Sequence, residues 1–92
     1  MKENYKVYSY GEDLTLIEIF EKEINKKKYT LLLQQQAPGL LLVGYFENKD
    51  LRIVDNDLLA SELLKVFLQD KECYDNLKPF INEVKKAFKS GK

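Results

Sequence analysis

The chain has 92 residues, 45% of them hydrophobic, which predicts a single domain over residues 1–92 with one compact core. Fifteen basic residues balance fifteen acidic ones, so no net charge attracts the chain to nucleic acid or to an anionic membrane. Histidine is absent and cysteine occurs once, which excludes histidine-dependent nucleophiles, imidazole metal ligands and an internal disulfide.

The first half of the chain predicts an antiparallel β-meander. Alternating or continuous apolar segments predict strands over residues 4–10, 14–21, 28–35, 40–47 and 51–54. The predicted turns contain Gly11-Glu12-Asp13, Asn25-Lys26 and Asn48-Lys49-Asp50. Because these connections are short, strands that are neighbours along the chain are expected to pair.

The third and fourth strands carry the most apolar segments, residues 31–33 and 40–43, on either side of a polar spacer that ends in Pro38-Gly39. Loss of period-two alternation is typical of strands that are covered on both faces. In the second strand, Ile17 and Ile19 mark the cleaner core face. The sequence therefore predicts a sheet with apolar side chains on both sides of its centre.

The second half of the chain predicts helices. Short polar residues at positions 55–57 are typical of a helix start, and a wide apolar stripe predicts a largely buried helix over residues 57–69. A helical turn is predicted at residues 71–76, and Pro79 is predicted to begin a terminal helix over residues 79–89. The predicted fold class is α+β, with two C-terminal helices packed on one face of a five-stranded sheet.

No motif indicates catalysis, a metal or a cofactor. Asp55 and Asp57 are spaced like the beginning of a calcium loop, but Leu59 occupies the next ligand position. Gly39 and Gly44 are spaced like the glycines of a phosphate-binding loop, but the lysine and hydroxyl residue that must follow are absent. We therefore expect no catalytic residues, no bound metal, no cofactor and no enzymatic activity, with the lone cysteine as a small buried residue.

The two-sided apolar pattern predicts a surface that needs cover, because helices that follow such a sheet normally cover one face. Either one helix wraps around the sheet, or one set of alternate side chains stays exposed for a second copy of the chain or for another protein. We favour the exposed patch. Its predicted members are Tyr8, Tyr10, Leu32, Leu41, Val43 and Tyr45.

A nucleic-acid surface is the alternative interpretation. Residues 71–92 contain six lysines and three acidic residues, residues 26–28 form a second basic cluster, and several tyrosines are available to stack on bases. The contacts would then be made by Lys78, Lys85, Lys86 and Lys89. Lysines near the end of a helix also complement its dipole, which is the simpler explanation of this cluster.

The sequence is thus interpreted as a non-enzymatic protein-interaction or regulatory module that acts through an exposed sheet face or edge. A weak nucleic-acid binder is the second hypothesis, and a non-catalytic subunit of an enzyme complex is the third. The polar N-terminus and the lack of a long apolar segment predict neither a signal peptide nor a membrane span, so we expect a cytoplasmic protein. Fourteen lysines against one arginine indicate the coding bias of a bacterial or phage genome.

Overall fold

The structure is a computed structural model that describes residues 5–35 and 40–82. Five antiparallel strands form one sheet, in which their spatial order is the same as their order along the chain. The strands are β1 (Val7–Tyr10), β2 (Leu14–Ile24), β3 (Lys27–Gln34), β4 (Leu41–Glu47) and β5 (Asp50–Ile53). The predicted meander is therefore confirmed, with β2 extending three residues further than expected.

Two helices follow the sheet, α1 (Asp57–Gln69) and α2 (Lys71–Leu77), which confirms the α+β class, the first predicted helix and the predicted turn at residues 71–76. A 3₁₀ turn at Lys78–Phe80 and helical residues 81–82 come next, and the rest of the predicted terminal helix lies outside the described residues. Neither α1 nor α2, nor any other helix within residues 5–35 and 40–82, is long and apolar enough to cross a membrane.

The tips of two hairpins have the same left-handed backbone. Asn25 and Lys26 have φ angles of 54° and 68°, and Asn48 and Lys49 have φ angles of 51° and 73°. Consecutive positive φ angles in a two-residue connection define the type I′ turn, whose twist matches that of the strands. Both turns were predicted from their asparagines and are confirmed.

The main core lies between the helices and one face of the sheet. It contains side chains from β2, β3 and β4 together with the inward faces of α1, α2 and the 3₁₀ turn. Its buried members are Ile17, Ile19, Tyr29, Leu31, Leu33, Val43, Leu63, Phe67, Cys73, Leu77 and Phe80. The ring of Tyr5 packs edge-on against Phe80, with 5.4 Å between centroids, and so attaches the segment before β1 to this layer.

Helix α1 is less buried than the sequence predicts. Leu63 and Phe67 are its buried residues, whereas Leu58 is 80% exposed and Leu59 is 44% exposed. The prediction of a largely buried helix was wrong because a single sheet covers only one side of a helix. The leucines of α1 form a stripe that is wider than this contact.

One residue, Asp70, joins the two helices. Its backbone N–H donates to the Phe67 carbonyl oxygen at 3.0 Å and closes α1, while its carboxylate accepts from the Cys73 N–H at 3.1 Å and caps α2. The cap satisfies a backbone donor that would otherwise lack a partner at the start of α2. The chain can therefore turn between the helices with no additional loop residue.

Strand β2 contains a β-bulge at Ile19. Glu18 lies opposite Leu32, but Phe20 lies opposite Leu31, so Ile19 is an extra residue without a partner in β3. An extra residue reverses the alternation of side chains along the remainder of the strand. Odd-numbered residues of β2 face the helices before the bulge, and even-numbered residues face them after it.

Two polar contacts connect the bulged strand to the helices. Asn76 Nδ2 donates to the carbonyl oxygen of Ile19 at 3.0 Å, which gives a partner to a backbone group at the bulge. Lys22, turned toward the helices by the bulge, places its Nζ 2.7 Å from the Asp70 carboxylate, where both side chains are partly buried. Asn76 also accepts a hydrogen bond on its own carbonyl from the Tyr5 hydroxyl, at 2.8 Å.

The face away from the helices also buries apolar side chains, since Leu16 and Leu32 are fully inaccessible to solvent. The rings of Tyr8 and Phe46 are in contact above this face, with 5.4 Å between centroids, although β2 and β3 lie between their strands. In a flat sheet β1 and β4 would be about 14 Å apart. The sheet therefore curves toward this face, which confirms burial on both sides of the central strands.

Gly44 lies where this curvature brings backbone and side chains closest together. A Cβ atom at this position would lie 2.9 Å from the Arg52 carbonyl oxygen and 2.9 Å from Leu32 Cδ1. Only a residue without a side chain fits this approach of β4 to β5 and to the centre of the sheet.

We predict that Gly44→Ala destabilises the fold by about 1–3 kcal/mol, because the added methyl group meets a backbone oxygen that cannot move alone. The change should lower the midpoint of urea unfolding, even though alanine is normally the better residue in a strand than glycine. A variant as stable as the wild type would contradict the close approach described here.

We predict that Asn76→Ala lowers the free energy of unfolding by about 1–2 kcal/mol, because the Ile19 carbonyl at the bulge loses its donor. Urea denaturation followed by circular dichroism measures the difference. Lys71→Ala, an exposed change on the same helix, serves as the control and should have little effect. Equal stabilities of the two variants would show that the bulge does not depend on this hydrogen bond.

The hydrogen bond from Lys22 holds the pKa of the Asp70 carboxyl below its usual value of 3.8, assisted by the N–H of Cys73. A depressed pKa in the folded state stabilises the protein above the unfolded pKa, and this contribution disappears as the pH falls through the folded value. Asp70→Asn keeps a capping oxygen but removes the charge, so we predict that the variant is less stable than the wild type at neutral pH.

The stability difference should shrink as the pH falls below about 4, because the wild-type carboxyl also becomes neutral there. Urea unfolding at several pH values measures this trend. Asp75→Asn removes a more exposed carboxylate from the adjacent helix and should show a smaller difference at neutral pH. A deficit for Asp70→Asn that is the same at acidic and neutral pH would contradict the ion pair as its cause.

Candidate functional site

The pairing between β3 and β4 ends before the strands themselves end. Thr30 and Gly44 form the last pair of the ladder. Strand β3 nevertheless extends to Lys27 and strand β4 to Glu47, and in these portions each strand pairs with its outer neighbour, β2 or β5. The β2–β3 and β4–β5 hairpins therefore diverge, and we call the space between them the hairpin cleft.

The hairpin cleft is a shallow cavity of about 270 Å³ with mixed aromatic and charged walls. Small-molecule sites commonly range from about 300 to 1,000 Å³, so the cleft is small for a cofactor but large enough for one bulky side chain. Its lining residues are Glu21, Lys27, Lys28, Tyr29, Thr30, Tyr45 and Phe46.

The wall on the helix side is a lysine held between two tyrosines. Lys27 Nζ lies 3.9 Å from the centroid of the Tyr45 ring and 5.5 Å from that of Tyr29. The two rings are themselves edge-to-face, with 6.4 Å between centroids. Cation–π and edge-to-face contacts of this kind favour a fixed geometry, so side chains join the two hairpins where the backbone ladder does not.

A second, smaller depression of about 140 Å³ continues from this wall toward the beginning of α1. It shares the lysine and both tyrosines with the cleft and adds residues from the end of β5, from the connection to α1 and from the first turn of α1. The added residues are Ile53, Val54, Asp55, Asn56 and Leu59. The strongly exposed Leu58 lies in the first turn of α1 and precedes Leu59 in the chain.

The opposite wall is formed by Phe46, which is 41% exposed and contacts the ring of Tyr8. The Tyr8 hydroxyl donates to Glu18 Oε1 at 3.0 Å. Burial raises the pKa of Tyr8 to about 12, with further contributions from Glu18 and from the charge of Glu21. Tyr8 therefore remains a neutral hydrogen-bond donor at physiological pH and supports the Phe46 ring.

Positive charge is concentrated at the end of the β2–β3 hairpin. The ion pairs found among residues 5–35 and 40–82 are formed by other cations, and none of them includes Lys26, Lys27 or Lys28. Glu21 also lines the cleft, and Glu23 lies across the ladder from Lys28, but neither is within ion-pair distance of a lysine in this run. The rim of the cleft thus presents ammonium groups that no carboxylate in the described part of the chain pairs with.

The structure divides the predicted interaction patch between two faces. Tyr8, Tyr10 and Leu32 belong to the face away from the helices, and Leu32 is fully buried there. The remaining three predicted members belong to the helix face, where Val43 is 3% exposed. Leu41 and Tyr45 pack against the core from the same face. Because Leu32 pairs with residue 42, the six residues do not form one surface.

The lysines predicted to contact nucleic acid are only partly described. Lys78 Nζ lies 3.5 Å from Asp75 Oδ1 and 5.9 Å from the centroid of the Tyr74 ring, so it has local partners on α2. Lys85, Lys86 and Lys89 lie outside the described residues. That surface therefore stays a prediction.

Neither the cleft nor the role of Phe46 in it was predicted from the sequence. One signal was present, because an isolated glycine within a strand pattern indicates a bulge or a close backbone approach. Gly44 stands immediately before Tyr45 and Phe46, at the last pair of the β3–β4 ladder. Where the ladder ends, however, depends on how the two hairpins twist apart.

The chemistry available elsewhere in the described residues is limited. Cys73 is a buried free thiol, as predicted, and burial raises its pKa to about 11, so it remains protonated. Residues 5–35 and 40–82 contain no group of three or more acidic, cysteine or histidine side chains placed to hold a metal ion.

The hairpin cleft combines aromatic contact surface with unpaired cations, which is an arrangement suited to binding. Its rings, its ammonium groups and the open strand edges come from two hairpins whose geometry is fixed by the rest of the sheet. No protein-family model matches the chain, and no curated protein or solved structure is significantly similar to it.

Proposed function

We propose that this chain is a non-enzymatic protein-interaction module whose binding site is the hairpin cleft. The observation that supports this most strongly is the early end of the β3–β4 ladder at Thr30 and Gly44. Both strands continue beyond this pair, and the space between them is lined by Tyr29, Tyr45 and Phe46. A partner segment can enter this space from the hairpin tips.

Backbone groups support a peptide as the ligand. Beyond Thr30 and Gly44, the edges of β3 and β4 that face each other have no partner in the sheet ladder. Open strand edges bind extended segments of other chains through main-chain hydrogen bonds. In the proposed complex, the partner segment lies along one of these edges and inserts a side chain between the rings.

Exposed apolar side chains around the cleft supply the additional contact area. Phe46 forms one wall and is 41% exposed, while Leu59 lines the adjoining depression and is 44% exposed. Binding energy in protein interfaces is concentrated in a few such buried anchors, and aromatic residues are the commonest among them. We therefore expect Phe46 to contribute more to binding than an equally exposed aromatic residue elsewhere.

The proposed site differs from the sheet face favoured by the sequence. It uses the ends of two hairpins, and Tyr45 is the residue shared with the predicted patch. A second copy of the chain is one candidate partner, and we propose that the interaction takes place in the cytoplasm of a bacterial or phage-infected cell. The lone unpaired cysteine supports a reducing compartment.

We predict that a photo-crosslinker in place of Phe46 forms a covalent adduct with a partner in the source cells. The variant carries p-benzoylphenylalanine at position 46 in the full chain, and adducts are identified by mass spectrometry after irradiation. Position 74 is the matched control, because Tyr74 is 43% exposed and lies on α2, outside the lining of the cleft.

The expected result is a discrete adduct from position 46 that is absent, or at least about tenfold weaker, from position 74. Adducts with a second copy would identify a self-interaction. Equal adducts from both positions, or none from position 46 in a chain that melts like the wild type, would contradict the proposed function.

A further inference from the structure

We propose that the hairpin cleft binds an acidic segment of a partner protein, in which one aromatic or large aliphatic side chain is flanked by carboxylates. This inference rests on the proposed function, because it specifies the ligand of the same site. It is supported by the position of lysines, unpaired with any carboxylate of residues 5–35 and 40–82, beside a cavity that is large enough for one bulky side chain.

The lysines lie at the entrance and on the walls of the cavity. Lys27 and Lys28 line it directly, and Lys26 occupies the turn that joins β2 to β3. Lys49 occupies the equivalent position at the tip of the other hairpin. All four are exposed, so their ammonium groups are available to a ligand that enters between the tips.

Acidic residues near the cleft offset the charge of this rim only in part. The ends of the two hairpins carry four carboxylates against the four lysines and Arg52, which leaves a net charge of +1. On the β4–β5 hairpin, the Glu47 carboxylate lies 3.4 Å from Arg52 Nε and is therefore already paired. Asp50 on the same hairpin and Glu23, opposite Lys28 in β2, form no ion pair with another residue in the described ranges 5–35 and 40–82. Their charges therefore offset part of the lysine charge without holding any lysine in place. Glu21 lines the cleft near the Tyr8 wall, where its charge acts on the Tyr8 hydroxyl. Lys26 and Lys49 thus lie at the hairpin tips, while Glu21 lines the cleft together with Lys27 and Lys28.

The ammonium group of Lys27 is also held in place before any ligand binds. Lys27 Nζ sits over the Tyr45 ring and beside Tyr29, which restricts a side chain that would otherwise sample many rotamers. A restrained ammonium group loses less conformational entropy when it pairs with a carboxylate. Because Lys27 itself lines the cavity, the anchor side chain and the first carboxylate of the ligand lie next to each other in the proposed complex.

Single-stranded nucleic acid fits the same surface less well. Base stacking needs open ring faces, but Tyr29 is only 9% exposed and Lys27 covers the face of Tyr45. Phe46 is the remaining exposed ring of the cleft. One ring and one small cavity cannot accommodate successive bases, whereas they suffice for a single anchor side chain.

The test is a selection from a library of random dodecapeptides against the folded full chain. Recovered peptides are then measured against two variants with equal net charge. In the first, Lys26, Lys27 and Lys28 are replaced by glutamine. In the second, the control, Lys6, Lys65 and Lys71 are replaced by glutamine; these lysines are exposed and lie outside the lining of the cleft. A third variant, Phe46→Ala, reports whether binding occurs in the cleft.

The expected result is enrichment of peptides that carry aspartate or glutamate around one aromatic or leucine residue. Their affinity should fall about tenfold in the cleft-lysine variant and with increased salt, and should change little in the control. Phe46→Ala should weaken the same peptides because it removes one wall of the cavity. Oligothymidylate should fail to compete.

The other outcomes separate the two proposals. Neutral or basic peptides that lose affinity with Phe46→Ala would overturn the acidic ligand but leave the cleft as the binding site. Peptides that are insensitive to Phe46→Ala, or a selection that enriches none, would overturn the proposed function together with the inference. Efficient competition by oligothymidylate would replace the acidic peptide with nucleic acid as the ligand.

Discussion

The β-bulge at Ile19 is the constraint on which the rest of the structure depends. By adding one residue to β2, it turns Lys22 instead of Glu21 and Glu23 toward the helices, where a single cation can meet the Asp70 carboxylate. Without the bulge, two carboxylates would lie beneath the helical layer and no described ion pair would compensate their burial. Bulges increase the local twist of a strand, and the β2–β3 hairpin that continues beyond this bulge is the one that leaves the β3–β4 ladder at Thr30.

Residues of the helical layer provide the hydrogen-bond donor and the carboxylate that Ile19 and Lys22 of the bulged strand require. Asn76 supplies the donor for the Ile19 carbonyl, and its own carbonyl accepts from Tyr5, so one residue connects α2 with β2 and with the beginning of the described chain. Asp70 in turn fixes the angle between the helices and the position of Lys22. Sheet curvature, helix placement and cleft geometry are therefore linked through a few polar contacts, while the apolar core supplies most of the burial energy.

Most of the fold could be predicted because its determinants are local. Asparagine at the hairpin tips, alternation along the strands and the polar start of α1 are each readable within a few residues. The bulge could not be predicted in this way, since the two consecutive apolar residues Ile19 and Phe20 are equally consistent with a regular strand that is buried on both faces. The predicted patch does not form one surface for a related reason. Whether Leu32 pairs with residue 41 or with residue 42 decides which side chains share a face of the sheet, and this register depends on tertiary contacts. The extent of the β3–β4 ladder, and with it the cleft, is set in the same non-local way.

Because Cys73 is buried, its rate of reaction with an alkylating reagent reports how often the structure around it opens. The thiol is inaccessible between sheet and helices and remains protonated, so an alkylating reagent reacts with it only after α2 lifts away from the sheet. With no second cysteine in the sequence, the rate of alkylation measures the free energy of that single opening. Residue 73 thus allows the local stability of the helical layer to be followed under native conditions, without a label and without denaturant.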